Sequence, residues 1–117
     1  MLLLLTTGSA WAEWVKVEEA IEGDKYIDPA TIRKDGDIRR VWEILDLKKR
    51  NKYGQSSIRT RVEYDCKQER YNILSLTTHS KSMAQGSIID NGNFVPNWID
   101  IPPGSVSSNL LKIICSQ

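Results

Sequence analysis

Few side chains of this chain stand where chemistry would need them. His79 is the sole histidine, and Ser80 follows it directly. Neighbouring residues of a strand point to opposite faces, so these two cannot form the base and nucleophile of a hydrolase. No G-x-S-x-G turn surrounds any serine, and no glycine loop is spaced to cradle phosphate. Asp24, Asp28, Asp35, Asp37 and Asp46 are scattered among expected turns and strand ends, unlike the close set of a calcium loop or a glycosidase pair. Two cysteines and one distant histidine do not complete a zinc site. The chain therefore reads as non-catalytic, with no metal and no cofactor.

Charge provides the one polar signal. Lys48, Lys49, Arg50, Lys52, Arg59 and Arg61 lie between Asp46 and Glu63 with no acidic residue among them. The net charge is only +1, so attraction must come from a local patch rather than from the whole molecule. If these residues share one hairpin, with Arg39 or Arg40 beside them, they would suit an acidic stretch of a protein, an acidic glycan or an anionic lipid. The plainer alternative is a solvated hairpin whose cations protect a strand edge from unwanted pairing. Nucleic acid is not expected for a near-neutral exported chain. Trp14, Trp42 and Trp98 sit in strand-like surroundings and are expected in the core.

Export follows from the first residues. Leu2 to Leu5 make a short apolar run, and Ala10-Trp11-Ala12 places small residues where a signal peptidase reads them. Residues 1–12 thus read as an incomplete signal peptide, lacking a basic start, and residues 13–117 as one domain. The leader is too short to span a bilayer, so no transmembrane segment is expected. In an oxidising space, Cys66 and Cys115 are expected to bridge; two buried thiols, or a redox or metal pair, are the alternatives.

The elements that would position these residues follow from pattern. Trp14 to Glu18 alternates as a half-buried strand, Gly23-Asp24 reads as a turn, and Lys25 to Ile27 as a short strand. Asp28 can cap a helical turn with Pro29 at its first position. Lys34 to Asp37 reads as a tight turn. Strands are expected over 38–47, 57–64 and 71–78, an antiparallel meander with Cys66 at one end. On the second of these, Ile58, Thr60, Val62 and Tyr64 share one face, and Arg59, Arg61 and Glu63 the other. Residues 83–97 read as a surface excursion with a weak strand at Ile88-Ile89. After Pro102-Pro103-Gly104, Ser105 can cap a helix from Val106 to Cys115. Its apolar face, Val106, Leu110, Ile113 and Ile114, should lie on the sheet. The fold class is α+β: an antiparallel meander packed by a C-terminal helix, with one disulfide.

The order of motifs resembles the surface-adhesin protein E family. Tyr26-Ile27-Asp28-Pro29-Ala30-Thr31-Ile32 precedes Val41-Trp42; Tyr64-Asp65-Cys66, Arg70-Tyr71, Trp98, Pro103-Gly104-Ser105 and Ile114-Cys115 follow in turn. The likeness spans Trp14 to Cys115. It implies an antiparallel sheet with a C-terminal helix tied to it by a disulfide. It also implies an exported binding module of a Gram-negative bacterium, in the periplasm, at the cell surface or secreted, that binds host matrix proteins or other extracellular ligands and can dimerise. One departure is that no lipid-accepting cysteine stands near Ala12. The alternative role is a periplasmic structural accessory that contacts another envelope subunit through the sheet edge or an apolar surface.

Overall fold

Alternation in the middle of the chain builds the sheet. In the computed structural model, which describes residues 13–117 and so leaves the expected leader outside, three long strands form the meander. They are β4 (Ile38–Leu47), β5 (Ser57–Asp65) and β6 (Arg70–His79). Their register stacks Val41 on Val62 and Val62 on Ile73, while one extra residue, Leu74, is left unpaired on β6. Outside β4 lie β2 (Gly23–Ile27) and then β1 (Val15–Glu19); outside β6 lies β7 (Ile88–Asn93). The order is β1-β2-β4-β5-β6-β7, every pair antiparallel. Two short strands complete it: β3 (Arg33–Asp35) on the start of β4 and β8 (Ile99–Asp100) on the start of β6.

The helix covers one face. Ser105 Oγ accepts from Ser108 N at 3.1 Å and starts α1 (Val106–Cys115). Leu110, Leu111 and Ile114 are buried against Ile27, Val41, Val62, Tyr64 and Ile101. Each such side chain contributes about 1.5–3 kcal/mol by leaving water. Leu111 joins the expected face because it precedes Ile114 by three residues and so lies one turn along the same side; Val106 and Ile113 flank it, half-buried. At the helix end Cys115 is bonded to Cys66 in the turn after β5.

Three local expectations change. Gly23 is not in a turn but opens β2, buried opposite Leu47; a Cβ there would stand 2.3 Å from the Asp46 carbonyl oxygen. Lys34 and Asp35 pair with Arg39 and Ile38, so the turn shrinks to Gly36-Asp37, with Gly36 at φ 59°. The weak strand at Ile88-Ile89 extends through Asn93, because the open edge of β6 supplies hydrogen-bond partners to residues of low strand propensity.

Candidate functional site

The β4–β5 loop presents four of the six expected cations. Lys48, Lys49, Arg50 and Lys52 are all exposed, and among the described residues none is paired with a carboxylate. The loop is braced from within. Asn51 Oδ1 accepts from Tyr53 N and Gln55 N, both at 3.0 Å, and Asn51 Nδ2 donates to Gln55 Oε1 at 2.8 Å. Arg50 donates to the Ser80 carbonyl at 3.2 Å, which ties the loop to the chain beyond β6. Lys52 Nζ stands 5.2 Å from the centre of the Tyr53 ring.

Arg59 and Arg61 belong to a different surface. Strand pairing sets Arg59 opposite Ile44 and Arg61 opposite Trp42, on the sheet face away from α1. Both are half-buried rather than solvated. The Arg59 guanidinium lies 5.2 Å from the centre of the Trp42 ring, and its Nε is sealed from solvent without a partner. Arg39 and Arg40 do not join the loop. They start β4, about 26 Å of strand from Lys48. There Arg40 pairs with Glu63 at 3.2 Å, and Arg39 donates to the Gly36 carbonyl at 2.7 Å.

The tryptophans depart from expectation. None is in the core; Trp14, Trp42 and Trp98 are half-buried, and two of them lie beneath arginines. Arg70 stands 4.6 Å from the Trp98 ring centre while its Nε donates to Asp65 at 3.1 Å. Trp14 and Trp42 line a groove of about 160 Å³ with Asp28, Thr31 and Arg59. That groove escaped the sequence reading, although the Asp28-Pro29-Ala30-Thr31 turn and Val41-Trp42 that frame it were its most distinctive motifs.

Buried polar groups are spoken for or sealed. His79 Nε2 and Thr77 Oγ1 are 2.8 Å apart, and burial, with the Arg59 charge second, holds the imidazole below its ordinary pKa. Ser80 Oγ accepts from Ser87 N at 2.9 Å and so braces the loop beyond β6. Beneath the helix, Tyr64 donates to the buried Glu43 carboxylate, whose other oxygen meets Lys25 Nζ at 3.4 Å. Burial first, then Glu43, pushes the Tyr64 hydroxyl well above its usual pKa, so it remains a donor. Among the described residues no group of three metal-ligating side chains gathers.

The fold is an antiparallel sheet packed on one face by a disulfide-tied C-terminal helix. The chain belongs to the surface-adhesin protein E family, whose model matches residues 14–116. This is a family of surface adhesins, generally non-catalytic, and membership implies export. The structure is similar to that of Haemophilus influenzae protein E. Crystal form II aligns with a TM-score of 0.71 at 16% identity, covering 99% of this chain and 97% of that one. The selenomethionine form aligns at 0.73 and 15%, covering 97% and 93%, and protein E of a non-typeable strain at 0.69 and 16%, covering 98% and 83%. At these identities the likeness shows the fold. Among curated proteins none matches the chain.

Proposed function

We propose that the chain is an exported, non-catalytic binding module that captures an extracellular macromolecule, a protein with an acidic stretch or an acidic glycan, through the β4–β5 loop. The observation that carries this is the braced loop with four exposed cations and no carboxylate partner among the described residues. Arg59 and Arg61 extend the positive surface onto the open face. Reversing charge at Lys49 and Lys52, which spares Arg50 and its tie to Ser80, should weaken capture of immobilised heparin and of matrix-protein extract while the fold is kept. Capture by the wild type should fall steeply between low salt and about 1 M, where the Debye length is only ~3 Å. Unchanged capture by the folded variant removes the loop from the account.

A second observation favours the structural-accessory reading. Ile88, Ile89, Phe94, Val95 and Ile99 are exposed along β7, β8 and the segment between them, and a cavity of about 310 Å³ opens beside them. Docking there would survive high salt, and substituting Phe94 and Val95 with serine would abolish it.

A further inference from the structure

The groove on the open face is a built site. Asp28 N donates to the Trp42 carbonyl at 3.2 Å, and Trp42 N donates to Thr31 Oγ1 at 3.1 Å. Thr31 Oγ1 in turn donates to the Asp28 carbonyl at 2.7 Å, so the turn is locked onto β4. One Asp28 carboxylate oxygen accepts from Ala30 N at 3.1 Å, and among the described residues the other makes no hydrogen bond. Trp14 and Trp42 supply aromatic walls, and Arg59 stands over Trp42 with a sealed Nε.

Arg59 and Arg39 each have an Nε sealed from solvent without a partner. Arg39 donates through Nη1 to the Gly36 and Ile38 carbonyls, whereas the Arg59 side chain makes no hydrogen bond among the described residues. Arg40 and Arg70, also on strands, each hold a carboxylate, at 3.2 and 3.1 Å. Arg59 holds none among the described residues, although Asp28 lines the same groove. A partly desolvated guanidinium without a counter-charge is costly, and an unpaired buried donor calls for an explanation. Its planar fork matches a carboxylate at two points. Asp28 offers the opposite chemistry, an acceptor suited to hydroxyl donors. Flat indole walls take the apolar face of a ring.

We propose that this groove binds a carboxylate-bearing sugar ring, with the carboxylate on Arg59, the ring against Trp42 and Trp14, and a hydroxyl on Asp28. A free phosphate could meet Arg59 but has no apolar ring face to set against the two indoles. An acidic peptide side chain would fill Arg59 but leave both indoles and Asp28 unused. The volume of about 160 Å³ admits one ring, so the site reads a single sugar residue of a longer glycan. This goes beyond capture by the loop, because the groove lies on the open face and keeps its sugar when the loop cations are reversed.

The test is an NMR titration of the ¹⁵N-labelled full chain, following the indole N–H signals of Trp14 and Trp42, with glucuronate, glucose, acetate and a glutamate tripeptide. Glucuronate should give saturable shifts, with each of the other three weaker by about tenfold or more, as expected of a site built for both groups. Arg59→Gln should remove the response, Arg59→Lys should restore part of it, and Lys49→Glu with Lys52→Glu should leave it intact. Trp14→Ala, before β1 and outside the sheet, should weaken binding in a folded protein even if the Arg59 variants fail to fold. No saturable shift with glucuronate overturns the proposal. So does an equal response to acetate, which means a plain anion site, or to the tripeptide, which means a peptide pocket. Loss of the sugar in the loop variant alone would also overturn it.

Discussion

Replacing Cys66 and Cys115 with alanine removes the only link between the helix end and the meander among the described residues that does not depend on packing. The two residues are 49 apart in sequence. Closing a loop of that length in the unfolded chain is worth about 4 kcal/mol by the chain-entropy estimate. Against a domain stability of roughly 5–15 kcal/mol, the loss is large but not always fatal. The helix should stay docked in the native state, because Leu110, Leu111 and Ile114 remain buried at about 1.5–3 kcal/mol each. Urea titration followed by circular dichroism reads both effects. With a slope near ~2 kcal/mol/M, the midpoint should fall by about 2 M. The slope itself should rise, since an uncrosslinked unfolded chain exposes more surface. A midpoint shift below about 0.5 M would refute the entropic account. Loss of helix from the native baseline while the sheet persists would refute the claim that packing holds the helix.

Two further perturbations probe the sheet. Gly23→Ala places a methyl 2.3 Å from the Asp46 carbonyl oxygen, a backbone atom that cannot swing aside, and should cost about 1–3 kcal/mol in a urea titration. Stability should also decline as pH falls below about 6.5, the ordinary histidine value. Above that pH the His79 imidazole is neutral in both states; below it the unfolded chain takes up the proton first, and the loss continues until the pH passes below the depressed folded value. His79→Gln should flatten this slope between pH 7 and 5 in thermal melts. Asp65, held below its usual range chiefly by the Gln68 backbone N–H, adds its own loss only in stronger acid.

Local chemistry was legible in the residues themselves. Alternation marked β5, strand-type composition marked β4 and the return of the chain marked β6. Ser105 marked the helix start, and Asp28-Pro29 marked the short turn whose cap is a real hydrogen bond to Ala30 N. The cysteine pair and the order of motifs carried the cross-link and the family. These features depend on residues close in sequence, or on an inventory with one sensible pairing.

Tertiary structure decided what meets across strands. Six cations within one stretch of sequence look like one patch, yet register separates them: four stay on the loop, while Arg59 and Arg61 are carried onto the open face, with Arg59 stacked over Trp42. Only pairing with β6 makes a strand of Asp90 to Asn93, whose propensity for it is low. Trp14 and Asp28 line one groove because β1, β2 and β4 bring together residues that the sequence keeps apart. Periodicity states which side of its own strand a side chain takes. Which neighbour it finds there is set by the hydrogen-bond register between strands, where a shift of one residue would turn every side chain to the other face.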